Sequence, residues 1–116
     1  MIDRDTLNLA EIPYDDGTVH FRYSRYLAAD GTRWIRHGLF RAYHRNGQVA
    51  SVGEYTHGAE TGLWREYHEN GAIAAQGEYR EGKEHGLWHF WTATGEAEQE
   101  IKYVDGIDVA GGDSKS

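Results

Sequence analysis

Between residues 62 and 79, apolar and polar side chains alternate in two short runs, 62–68 and 72–79, divided by Asn70-Gly71. Alternation with period two sends successive side chains to opposite faces of a strand, and Asn-Gly between two such runs is the strongest short-range hairpin signal. The pattern recurs without a gap over residues 37–60, 61–84 and 85–108, a unit of 24 residues. The first two copies are identical at 13 of 24 positions. The third keeps six residues of the second, and these are glycines and bulky apolar or aromatic positions: Gly86, Leu87, Trp88, Gly95, Tyr103 and Gly106. A degenerate copy precedes them over residues 13–36, with Asp16-Gly17, Tyr26 and Gly31 as its traces.

Repeats of this length made of two strands each predict an all-β fold: a single-layer antiparallel meander of hairpins, elongated and twisted. The repeat domain is expected over residues 13–108. Residues 1–12 carry Ile2, Leu7, Leu9 and Ile12 and are expected to cap one face, since repeat arrays need closed ends. Residues 109–116 read as a frayed tail. A two-residue type I′ loop at Asn70-Gly71 sets the register: Trp64 opposite Gly77, His68 opposite Ile73, Gly62 opposite Tyr79. By the same rule Phe40 lies over Gly53 and Trp88 beside Ile101. The predicted core face carries Phe40, Trp64, Trp88, Val49, Ile73, Tyr55, Tyr79 and Tyr103. The other face carries Leu39, Leu63, Leu87, Tyr43, Tyr67 and Trp91 among Arg41, Arg65, Glu98 and Glu100, a mixture better suited to a partner than to water.

Composition supports strands and turns: fifteen glycines stand beside one proline, four tryptophans, eight tyrosines and three phenylalanines. Helical proteins carry few interior glycines, because each costs about 1 kcal/mol. With no cysteine, a disulfide framework and a thiolate metal cluster are excluded. Neither a leader-like segment nor a bilayer-length apolar run is read from the sequence, so a cytoplasmic, soluble protein is expected. The net charge of −7 argues against direct nucleic-acid or membrane binding. That charge is unevenly spread: −4 over residues 1–21, +5 over 22–45 and −8 over 46–116.

Glu60, Glu84 and Asp108 occupy one position of successive repeats and so form an acidic ridge. Glu96, Glu98 and Glu100 alternate along one run and are expected to share a face. Such carboxylates suit a basic partner, or they discourage sheet-to-sheet aggregation. His44 and His68 are repeat equivalents, two strands or about 10 Å apart. Zinc needs nitrogens at about 2.0–2.1 Å, so no metal or other cofactor is expected. The serines, Ser24, Ser51, Ser114 and Ser116, stand in no nucleophile context, and a single-layer sheet offers no deep pocket for shifting a pKa. No catalytic residue is assigned.

The run Gly62, Leu63, Trp64, Tyr67, Asn70, Gly71, Gly77, Glu78, Tyr79, Gly82, Lys83 and Gly86 resembles the MORN-repeat variant of bacterial proteins. The resemblance covers residues 38–106 well and 16–37 poorly. It implies a curved sheet of hairpins that serves as a scaffold, and some stand-alone members are described as antitoxin-like. Lipid binding, attributed to some relatives, is disfavoured by the scarcity of basic residues in the repeats. The expectation is a non-enzymatic antitoxin or immunity-type protein that occludes a basic toxin or nuclease-type effector. The contact is expected at Tyr43, Tyr67, Trp91, Glu98 and Glu100, with Glu60, Glu84 and Asp108 on the ridge. A self-associating structural scaffold is the alternative.

Overall fold

Every alternating run is a strand in the computed structural model, which describes residues 7–109. In chain order the strands are β1 (Asn8–Pro13), β2 (Val19–Leu27), β3 (Trp34–Tyr43), β4 (Val49–Thr56), β5 (Ala59–Tyr67), β6 (Ile73–Arg80), β7 (Lys83–Trp91), β8 (Ala97–Val104) and β9 (Ile107–Asp108). They form one open sheet in sequential order, each strand antiparallel to the next. The radius of gyration is 16.4 Å, against about 13 Å for a compact chain of this length, and the molecule measures 50 × 32 × 21 Å. Residues 8–13 join the sheet edge as strand β1 and do not fold across a face. The remainder of the expected cap, residues 1–6, and the tail from residue 110 onward lie outside the described residues.

Two turn types alternate, and their places differ from the sequence expectation. The Asn-Gly turns are not type I′. Positive φ occurs at Gly71 (90°) and not at Asn70. The Gly71 N–H donates to the His68 carbonyl at 2.9 Å and the His68 N–H to the Ala72 carbonyl at 2.8 Å. This is a type I turn closed by a left-handed glycine, the usual three-residue hairpin. The type I′ turns instead join one hairpin to the next, at His57-Gly58, Glu81-Gly82 and Asp105-Gly106, with φ of 46–52° at the first residue of each. Left-handed φ at a residue other than glycine, asparagine, aspartate or histidine is uncommon, so nothing in the residue type at Glu81 marks a type I′ turn there.

A bulge follows each glycine turn and restores the register, so Trp64 still pairs with Gly77, Gly62 with Tyr79 and Trp88 with Ile101. Closer to the turn the phase slips by one. Tyr67, not His68, pairs with Ile73, and Tyr43 pairs with Val49. Val49 and Ile73 therefore leave the core, which contains Phe40, Ala42, Trp64, Ala75 and Trp88 with Tyr55, Tyr79, Tyr103 and Phe90 packed against it.

Register partner and packing partner also differ. A Cβ at Gly53 would fall inside the Trp64 indole, and one at Gly77 inside the Trp88 indole. Each tryptophan thus covers the glycine of the preceding repeat, not its own hairpin partner. The cause is a three-against-one bulge: Gly53 stands against Gly62, Leu63 and Trp64, and Gly77 against Gly86, Leu87 and Trp88. The indole N–H groups are satisfied by backbone, Trp88 Nε1 donating to the Glu78 carbonyl at 3.0 Å. Trp64 and Trp88 are only 5% and 3% exposed although the sheet is one layer thick. Rings from neighbouring repeats bury one another, with Tyr55–Trp64 and Tyr79–Trp88 centroids 5.5 and 5.2 Å apart.

Candidate partner-binding surfaces

The face opposite the core is organised as three rows across the strands. In the central row the register connects Glu11, Arg22, Arg41, Val52, Arg65, Gln76, His89 and Glu100, one residue per strand from β1 to β8. At one end Arg22 forms an ion pair with Glu11 at 2.5 Å, and at the other His89 Nδ1 lies 3.1 Å from the Glu100 carboxylate. Arg65 hydrogen-bonds Gln76 at 2.9 Å and has no carboxylate partner among the described residues. Arg41 is exposed and lies directly across from Arg22.

On one flank stand Leu9, Leu39, Leu63 and Leu87, exposed at 63, 62, 45 and 52%. Glu54, Glu78 and Lys102 pair with the last three of these leucines. On the other flank run Tyr43, Tyr67 and Trp91, paired with Val49, Ile73 and Ala97. Between this aromatic row and the arginines lie two equivalent shallow grooves. One, of about 360 Å³, is lined by Arg41, Gln48, Val49, Val52, Tyr67 and Gly71. Its counterpart, about 280 Å³, is lined by Thr18, Val19, Arg22, Tyr43 and Gly47.

The predicted contact residues thus divide between the two faces. Tyr43, Tyr67, Trp91 and Glu100 share the second face. Glu98 is the unpaired residue of the bulge between the Phe90–Gln99 and Trp91–Ala97 pairs, and its counterpart in the first repeat, Ala50, packs against the core. Glu96 belongs to the turn, where its carbonyl accepts the Thr92 N–H. The expected alternation of Glu96, Glu98 and Glu100 on one face is therefore broken.

Glu60, Glu84 and Asp108 do fall in one row, but on the core face, where they pair with Tyr55, Tyr79 and Tyr103. Desolvation, with Glu84, Glu60 and Glu66 adding repulsion, pushes the Tyr79 hydroxyl up to about 12. The Glu66 carboxyl is also held above the usual carboxylate range, by desolvation first and Glu84 second. The position 24 residues before Glu60 is Arg36, which the 24-residue spacing alone could have found. Its guanidinium donates to the Tyr55 hydroxyl at 3.1 Å and lies 4.6 Å from the Tyr23 ring centroid.

His44 and His68 have structural partners. His44 Nε2 and His68 Nε2 each lie 2.8 Å from a carbonyl of the next repeat, Tyr67 and Trp91. Among the described residues no helix is long and apolar enough to cross a membrane.

Fold and surface together define a class: an open β-hairpin repeat protein with two differently charged faces. Family comparison agrees with that class. The MORN repeat variant family matches residues 36–57 and 60–81, two adjacent repeats, and this supports a repeat-based binding module. No curated protein and no solved structure matches the chain.

Proposed function

We propose that the chain is a non-enzymatic protein-binding module of the antitoxin or immunity type, which neutralises a basic toxin or nuclease-type effector by binding and occluding it. The observation that carries this reading is the acidic row of the core face. Glu60, Glu66 and Glu84 make no ion pair with any Lys or Arg among the described residues. Carboxylates gathered at one margin and left without cations attract a basic surface, and the field raises both association rate and selectivity. Asp108 extends the row towards β9, and Glu98 adds charge on β8.

The test is purification of the tagged protein from its source organism, followed by identification of what co-elutes in stoichiometric amount. A single basic protein, harmful when expressed alone and lost from the Glu60→Lys/Glu84→Lys variant, is the expected result. Recovery of the chain alone, as an oligomer that persists on dilution, overturns the reading in favour of a self-associating scaffold.

A further inference from the structure

The second face is a sheet surface with a ruler built into it. Its leucines, Leu39, Leu63 and Leu87, recur every second strand, and so do Tyr43, Tyr67 and Trp91. Two strands span about 9.6 Å at ~4.8 Å each. An extended segment laid across the strands cannot follow that spacing on one side. Its same-side residues fall at about 6.8 and 13.6 Å, and those near 10 Å point the opposite way. An α-helix can follow it, because seven residues rise about 10.5 Å and return to nearly the same side. Across the three repeats the mismatch is only about 2 Å, which the twist between strands absorbs.

Charge decides which helix. Arg22 and Arg41 are directly opposed across β2 and β3, and Arg65 follows two strands on. Among the described residues only one carboxylate, Glu11, serves these three guanidinium groups. Two like charges directly opposite one another destabilise a sheet unless an anion lies between or above them. Guanidinium groups present a planar fork matched to carboxylates. Exposed leucines on one flank, aromatics on the other and arginines short of carboxylates between them form a bed for a charged amphipathic rod.

We infer that the second face docks an acidic amphipathic α-helix of a partner protein, lying across the strands. Its apolar residues recur every seventh position against Leu39, Leu63 and Leu87, and its carboxylates reach Arg41 and Arg65. The aromatic side chains Tyr67 and Trp91 close the far flank. Glu54 and Glu78, between the leucines, fix the direction of the helix's charged edge by repelling its acids towards the arginine row. This contact uses the opposite face from the acidic row and is independent of the neutraliser proposed above.

Two synthetic helical peptides of three heptads test it, each with leucine at every seventh position. One carries glutamate along one flank, and the other carries lysine at the same positions. Binding of each labelled peptide to the full chain is read by fluorescence anisotropy, alongside sedimentation with phosphatidylserine vesicles. The glutamate peptide is expected to bind at least about tenfold more tightly than the lysine peptide, a difference of ~1.4 kcal/mol. The Arg41→Glu/Arg65→Glu variant, checked by thermal melting for intact folding, is expected to reverse that order. Equal binding of both peptides, binding of neither, or a preference that survives the charge reversal overturns the proposal. Sedimentation with the vesicles while both peptides are ignored overturns it in favour of a lipid surface. Variants at Glu60 and Glu84 leave this assay unchanged, so failure here and failure of the neutraliser reading are told apart.

Discussion

The residues that fix this fold most tightly are glycines, and two of them matter for opposite reasons. Gly77 has ordinary backbone but no room, because the Trp88 ring occupies the place of a side chain. Gly62 has room, with nothing within 4 Å of the point where a methyl group would stand, but a φ of +70° that other residues rarely adopt. Overpacking a core costs about 1–3 kcal/mol or more, and a tryptophan that is 3% exposed has nowhere to retreat. A left-handed φ costs a non-glycine residue roughly 1–2 kcal/mol. Gly77→Ala is therefore expected to lower stability by about 3 kcal/mol and Gly62→Ala by about 1 kcal/mol in urea unfolding. Trp88 fluorescence should shift towards that of an exposed indole in the first variant alone. Equal losses at the two positions would mean that the indole does not depend on the bare glycine beneath it.

At the scale of elements, successive hairpins are stitched at both ends of their strands. On the inter-repeat side, the Gly58, Gly82 and Gly106 N–H groups donate to the carbonyls of Arg36, Glu60 and Glu84 at 2.8, 3.0 and 2.9 Å. On the Asn-Gly side, Asn46 and Asn70 Nδ2 donate to the Glu69 and Ala93 carbonyls, both at 2.8 Å, beside the His44 and His68 contacts. The third repeat has Thr92 and Thr94 at these positions, and their hydroxyls bond to each other at 3.0 Å. His68→Ala/Asn70→Ala removes both stitches and the bond from the Ala72 N–H to Asn70 Oδ1, and should cost about 3 kcal/mol, near 1 kcal/mol per hydrogen bond. Amide exchange is expected to rise across β7 and β8 and to stay unchanged in β3 and β4. Uniform acceleration along the sheet would contradict a joint that is local to one pair of repeats. This arrangement also shows how far the sequence could be read. Strand order, hairpin pairing and the rows of equivalent residues follow from the 24-residue period, because these depend only on counting. Face assignments failed for Val49, Ile73 and Glu98, which all sit beside a bulge. One unpaired residue inverts every alternation argument that crosses it, and no residue type announces a bulge of this kind as an Asn-Gly pair announces a turn. The same effect moved Glu98 away from Glu100, whereas Glu60, Glu84 and Asp108 reach the core face by regular pairing with Tyr55, Tyr79 and Tyr103.

Over the whole molecule, the repeat produces an array with ends and a polar axis. The glycine covered by tryptophan in two repeats is replaced by Ile101 in the third, and the position where a further tryptophan would stand is Gly112. Ile101 therefore offers no bare backbone of the kind that Gly53 and Gly77 present to an indole. Along the core face the charge runs from Arg36 through Glu60 and Glu84 to Asp108, with tyrosines between, and Tyr79 lies where burial and three carboxylates act together. Its hydroxyl, ordinarily near 10, is pushed up to about 12, while Tyr55 and Tyr103 are also raised, chiefly by desolvation. A group whose folded value exceeds its unfolded value binds its proton more tightly when folded. The stability linked to Tyr79 is thus complete below pH 10 and is lost as pH rises through about 12. Alkaline unfolding should accordingly fall in this window, with the last tyrosinate absorbance appearing as the sheet opens. Tyr79→Phe should remove that last step and raise the alkaline midpoint. Glu84→Gln should lower the Tyr79 value only part of the way, because burial outranks the carboxylate as the cause. If Glu84→Gln leaves the Tyr79 titration where it is in the parent chain, the acidic row exerts no field on its tyrosines, and its attraction for a basic partner would be correspondingly weak.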